Sequence, residues 1–304
     1  MERRRIGSLE VSVLGLGCNN FGWRLDADAT ARVVHAALDA GVTFFDTAEL
    51  YGEGQSEEYL GRALRGRRKD VVIATKFGYK SAPPDRRGHP NNVRRAVDAS
   101  LQRLGTDYID LYYLHSPDPQ VPIADTLGAL DELVRQGKVR EIGCSNFSAA
   151  QLREAEDAVR PGNARFVCVQ NEYSLINREA EAEVLPECER LGLAFIPYYP
   201  LASGLLTGKY RPGRPFPKGT RLGDGHKLLT DEHLATVEEL SRFAEKHKHA
   251  VLDLAFAWLL SSPIVPSVIA GATSPEQVKR NAEAVMWKLT ESDRAAVDGL
   301  AVYS

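Results

Sequence analysis

The chain has 304 residues, 43% of them hydrophobic and 26% charged, with a formal net charge of −3. This balance suits a globular protein with a sizeable core and argues against disorder and against a nucleic-acid partner, which needs a basic face. The charged start, Met1-Glu2-Arg3-Arg4-Arg5, leads into no apolar run long enough for a signal peptide or a membrane span.

The first element expected is a hairpin, from a turn at Gly7-Ser8 between residues 4–6 and 10–13. Short β-branched or aromatic runs then alternate with amphipathic segments almost to the C-terminus, the pattern of βα units and a parallel sheet. Strands are predicted at residues 13–17, 43–46, 71–76, 109–115, 141–145, 166–170, 194–198 and 265–269. Helical periodicity falls between them, as at 28–40, 56–64, 91–104, 123–136 and 148–159, and again at 292–301. Gly41 and Gly137 stand where helices should stop.

Eight strands with intervening helices close most simply into a (β/α)8 TIM barrel, here a single domain over 1–304 with the hairpin plugging its N-terminal end and an extra C-terminal helix. The rival, a doubly wound open sheet, usually carries a Gly-rich fingerprint after its first strand. Gly15-Leu16-Gly17-Cys18-Asn19-Asn20 lacks the third glycine. The basic run at 65–69 reads as a solvated loop. Two connections, 78–90 and 201–230, exceed what a barrel needs and serve either as surface inserts or as substrate-contacting loops. The four cysteines, Cys18, Cys144, Cys168 and Cys188, form no CxxC pair and no metal-ligand spacing with the histidines, so a reduced, cytoplasmic setting and no metal are expected.

Asp46, Tyr51, Lys76 and His115 each sit at or just past the C-terminal end of a predicted strand in successive βα units. Barrel enzymes draw their catalytic groups from such positions. Taken singly, Asp46 reads as a helix N-cap, Tyr51 as a half-buried aromatic, Lys76 as a strand-end charge and His115 as a core-edge histidine. Together they make a proton donor. A phenol of pKa about 10 gives up its proton slowly near neutral pH unless a cation stabilises the phenolate left behind.

Three segments, Asp46-Thr47-Ala48-Glu49-Leu50-Tyr51-Gly52, Leu114-His115-Ser116-Pro117-Asp118-Pro119 and Gly137-Lys138-Val139-Arg140-Glu141-Ile142-Gly143-Cys144-Ser145-Asn146-Phe147, together resemble the aldo-keto reductases. The resemblance runs in order over residues 7–281. It implies a barrel that binds a nicotinamide cofactor without a Rossmann domain and reduces a carbonyl. Tyr51 would be the general acid, Lys76 and Asp46 its tuning pair, and His115 the group that orients the substrate carbonyl.

For the cofactor, the resemblance implies Ser145, Asn146 and Gln170 on the carboxamide, and Tyr198 stacked on the ring beside Pro200 and Leu201. Tyr199, where the family often has serine, contests that stacking. Ser203, Gly204, Leu205 and Lys209 resemble the loop over the pyrophosphate. Gly271, Thr273, Gln277, Arg280 and Asn281 resemble the segment holding the adenosine end, and Gly17, Cys18, Asn19 and Asp46 approach the same ligand. Ala270 stands where proline is usual, and Arg280 where glutamate commonly meets the adenine or ribose. Arg280 either pairs with a 2′-phosphate, favouring NADP(H) over NAD(H), or is a solvated helix charge. Gly271 stands where many relatives carry a basic residue, which weighs against strong NADP selectivity. Cys18 reads as a reactive thiol or, preferably, a small packed side chain.

Trp23 and Phe77, with Tyr79 and Phe147, are the candidates to line a substrate pocket beside Tyr51 and His115. NADPH-dependent reduction of an aldehyde or ketone is the leading function, with a small-molecule carbonyl or sugar as the partner, no membrane, and a monomer or small homo-oligomer. An NAD-dependent sugar 1-dehydrogenase is the alternative within the same chemistry. A nicotinamide-binding regulatory subunit, as the potassium-channel beta subunits of this family are, is the alternative of another class.

Overall fold

The computed structural model describes residues 1–83, 87–211, 222–223 and 226–300. Strands β1 (Arg3–Ile6) and β2 (Leu9–Ser12) form an antiparallel hairpin. Eight parallel strands follow: β3 (Leu14–Gly17), β4 (Phe44–Asp46), β5 (Val72–Phe77), β6 (Ile109–Leu114), β7 (Val139–Ser145), β8 (Phe166–Glu172), β9 (Ala194–Tyr198) and β10 (Val268–Gly271). They pair in the order β10-β3-β4-β5-β6-β7-β8-β9. The edge strands β9 and β10 come alongside each other, and Phe195 N donates to Ile264 O at 2.7 Å across the seam. The result is a (β/α)8 barrel.

Helices α1 (Ala27–Asp39), α2 (Gln55–Ala63), α3 (Pro90–Leu104), α4 (Ile123–Arg135), α5 (Ala149–Asp157) and α6 (Val184–Leu191) each follow a strand. After β9 come α7 (Asp231–Lys246) and α8 (Val251–Leu260), and after β10 come α9 (Pro275–Ala284) and α10 (Glu291–Leu300), which packs on α7. Local chemistry sets many of these boundaries. Ser148 and Gln151 form a reciprocal capping box on α5. Ser274 caps α9 with Pro275 in its first turn.

Side chains alternate across each strand, so apolar residues fall into two cores. Phe45, Ile73, Phe77, Tyr112, Leu114, Cys144 and Val169 face the helices. Phe44, Val72, Ala74, Leu111, Tyr113, Cys168, Ile196 and Ile269 fill the barrel, and Ile6, Leu9 and Val11 of the hairpin join them as the plug. Arg4 Nη1 fastens that plug, donating to the carbonyls of Leu260 and Val265 at 2.9 Å each. Gly143 is there for space. A Cβ on it would lie 2.7 Å from the Tyr113 ring and 2.9 Å from Cys168 Sγ.

The last barrel strand begins at Val268, three residues later than residues 265–269 suggested. Pro266 has no amide to give a ladder, which delays the pairing. The expected last helix begins one residue early at Glu291, and its expected end, Ala301, lies outside the described residues. So do parts of both long connections, including Pro84-Asp85-Arg86 and Pro212-Gly213-Arg214-Pro215. Among the described residues no helix is long and apolar enough to cross a membrane.

Candidate active site

The strand alternation that fills the barrel also aims the polar groups. Two residues above Phe44 stands Asp46; above Ala74, Lys76; above Tyr113, His115; above Gly143, Ser145; above Cys168, Gln170; above Ile196, Tyr198; above Ile269, Gly271. Each therefore points the same way as the apolar residue below it, into the C-terminal mouth of the barrel.

Lys76 is fully buried and ion-paired with Asp46. Its Nζ also donates to Thr47 O at 2.9 Å and lies 5.2 Å from the centroid of the Tyr51 ring. The second carboxylate oxygen of Asp46 accepts from Gln170 Nε2 at 2.9 Å. Tyr51 itself rides on the turn after β4, its N–H donating to Ala48 O at 3.1 Å. Thr47 Oγ1 and Ser56 Oγ, 2.8 Å apart, brace that turn against α2.

These contacts set the protonation states. Burial alone would strip the charge from Lys76, but Asp46 and Tyr51 beside it override burial and hold its pKa above the ordinary value. Burial raises Tyr51, with Lys76 pulling the other way, so the phenol is a neutral donor at neutral pH. Burial, and then the charge of Lys76, push His115 well below the ordinary histidine value. His115 is therefore a neutral imidazole. Its Nδ1 is buried without a partner among the described residues, and its ring is edge-on to Tyr51, with centroids 6.1 Å apart.

A cleft of about 810 Å³ opens over these groups. Asp46, Tyr51, His115, Ser145, Asn146, Gln170 and Tyr198 line one end. Gly17, Cys18, Asn19, Pro200, Leu201, Ser203, Gly204, Lys209, Gly271, Thr273, Gln277, Arg280 and Asn281 continue it toward α9. Ser145 Oγ donates to Gln170 O at 2.7 Å. Asn146 Nδ2 donates to His115 O at 2.9 Å, and Asn146 Oδ1 accepts from Tyr198 Oη at 2.9 Å. Three of the six non-glycine residues with positive φ among the described residues, Asn146 (63°), Tyr199 (52°) and Ser203 (57°), lie on this cleft. Backbone strain of this kind concentrates at ligand sites.

The residues present fit an elongated dinucleotide. A Cβ at Gly271 would come within 3.2 Å of Asn20 Nδ2 and 3.4 Å of Asn19 Oδ1, crowding the wall on that side. The lining also carries the amide groups of Asn146 and Gln170, the Ser145 hydroxyl, the Tyr198 ring and Lys209.

Several expected residues lie elsewhere. Lys76 stands behind Asp46 and Tyr51 rather than on the cleft surface. Phe77 has the opposite strand parity to Lys76, so it faces the helices and stacks on Tyr112 at 4.7 Å. Phe147 packs edge-on against Phe166 at 5.8 Å, and Leu205 is buried in the outer core. Trp23 is 64% exposed, with the Arg24 guanidinium 4.7 Å over its ring. Cys18 is on the cleft as expected but buried, and burial pushes its thiol well above the ordinary range, the signature of packing rather than reactivity. Tyr79 does line the cleft, tilted against His115 at 4.8 Å. Asn20, Arg24, Leu50, Thr207 and Leu252 line it too. They sit on loops or a helix, outside the strand-end rule that finds the others.

The model of the aldo/keto reductase family matches residues 13–302. The chain belongs to the aldo/keto reductase family. It is 37% identical to aldo-keto reductase str7 of Strobilurus tenacellus, over 98% of this chain and 91% of that one. It is 36% identical to aldo-keto reductase YhdN of Bacillus subtilis, over 95% and 90%. A glycerol dehydrogenase from Gluconobacter oxydans superposes with a TM-score of 0.85 at 31% identity, covering 98% of this chain and 94% of that one. This aldo-keto reductase is an NAD(P)H-dependent oxidoreductase.

Proposed function

We propose that this aldo-keto reductase reduces an aldehyde or ketone to the alcohol with NADPH, and that Tyr51 is the general acid. The observation that carries this reading is the buried Asp46–Lys76 ion pair, with the Lys76 ammonium 5.2 Å from the ring centroid of a protonated Tyr51, beside a neutral His115. The nicotinamide, when bound, supplies the hydride to the carbonyl carbon.

Tyr51 hands its proton to the carbonyl oxygen as negative charge develops there. Lys76 stabilises the phenolate that results, and Asp46 keeps the ammonium in place and charged. Neutral His115 donates one N–H to the same oxygen and orients it. Its unpartnered Nδ1 suits an imidazole whose proton is on Nε2. When bound, the nicotinamide carboxamide would be held by Ser145, Asn146 and Gln170, its ring would lie against Tyr198, and Lys209 would offset the pyrophosphate charge. Tyr79 and Leu50, rather than Phe77, border the substrate. The four cysteines, all buried and free, suit a reducing cytoplasm.

The same groups run in reverse as an alcohol or sugar dehydrogenase, the direction named for the Gluconobacter neighbour. The test is product analysis with purified protein and an activated aromatic aldehyde. One alcohol formed per NADPH consumed supports the reductase. An inert aldehyde, with NAD reduced when a polyol or aldose is supplied, would replace it by the dehydrogenase reading.

A further inference from the structure

α8 is buried along its whole length, and Asp253 is its one charged residue. That carboxylate is held on both sides. Oδ2 accepts from Ala250 N at 2.9 Å and lies 3.5 Å from His249 Nδ1. The His249 ring is in turn stacked flat on Trp287, with centroids 4.1 Å apart. Oδ1 is ion-paired with Arg280 Nη2 at 2.5 Å, a charge contact that is not aligned as a hydrogen bond. Arg280 belongs to α9, lines the same cleft as Tyr51, and its side chain is 39% exposed. The cation on the cleft is thus paired with a nearly buried anion.

We infer that Asp253 sets the balance between NADPH and NADH by tempering Arg280. This rests on the nicotinamide-dinucleotide reading of the cleft. Without Asp253, Arg280 would be an uncompensated cation, strongly drawing a 2′-phosphate and poorly matched to a neutral 2′-hydroxyl. With Asp253 behind it the pair is close to neutral overall. A bare ribose then leaves no stranded charge, while the guanidinium still has N–H donors for a phosphate. Asp253 acts through Arg280 and touches no ligand, so it is a positioning residue. The sequence gives no hint of it, because the partners lie on different helices 27 positions apart.

The test is the ratio of kcat/KM for NADPH to that for NADH, with binding of 2′-phospho-AMP against AMP as a readout free of catalysis. Asp253→Asn keeps an oxygen for Ala250 N but removes the charge, and the ratio should rise about tenfold, as expected for one partly screened charge. Arg280→Gln should lower it by a similar factor, and the phosphate preference of the AMP pair should move in parallel. In the Arg280→Gln background, Asp253→Asn should shift the ratio less. An unchanged ratio in Asp253→Asn, or an equal shift in both backgrounds, would overturn the role given to Asp253. If the native protein binds neither NADPH nor NADH, the underlying reading of the cleft fails instead.

Discussion

Phe44, Ala74, Tyr113, Gly143, Cys168, Ile196 and Ile269 pack the inside of the barrel, while Asp46, Lys76, His115, Ser145, Gln170, Tyr198 and Gly271, two residues farther along the same strands, face its mouth. The lower set excludes water by close packing, with Gly143 making room for Tyr113. The upper set trades packing for charge, and keeps a buried lysine ionised only because Asp46 and Tyr51 surround it. The dry layer is the foundation of the chemistry. It fixes the directions of the polar groups and lowers the dielectric in which they act.

Exchanging one member of the upper layer breaks chemistry first. Lys76→Met leaves Asp46 buried without its cation, which should cost about 3–5 kcal/mol of stability and reduce turnover about a hundredfold or more. Denaturant melts and steady-state rates check the two parts separately. Exchanging a member of the lower layer should do the converse. Gly143→Ala forces a Cβ into the Tyr113 ring and should destabilise by about 1–3 kcal/mol, with a shifted urea midpoint and little change in the pH profile.

The pH profile sharpens the contrast further. His115 has its pKa lowered, so it stays neutral above the ordinary value of 6.5. Tyr51 has its pKa raised, so it stays protonated up to the ordinary value of 10.0. Reduction should therefore be flat between those limits, fall only as pH climbs through the raised tyrosine pKa, and show no histidine inflection near neutrality. Alcohol oxidation, which needs the phenolate, should rise with pH across the same window. The smallest effect is expected at Trp23, which is exposed and outside the cleft. Trp23→Ala should change kcat/KM less than about threefold, since surface changes away from special features are usually worth under 0.5 kcal/mol.

Strand alternation and the family motifs made the upper layer legible in the sequence, because Asp46, Lys76, His115, Ser145 and Gln170 are strand-end residues. Phe77 is also near a strand end, but its parity is opposite to that of Lys76 and turns it to the helices. Pro266 delays the last strand to Val268, a signal present in the sequence inside an otherwise apolar run. Arg24, Leu50 and Leu252 come to the cleft from loops and a helix, whose paths depend on tertiary packing. The Asp253–Arg280 pair depends on how α8 and α9 dock, which no local pattern reports.

The most direct measurement is oxidation of NADPH and of NADH with an activated aromatic aldehyde, comparing the native protein with Tyr51→Phe. The expected result is a loss of turnover of about 10²–10⁴-fold in the variant, with cofactor affinity retained. Turnover in Tyr51→Phe close to that of the native protein would contradict the assignment of Tyr51 as the proton donor.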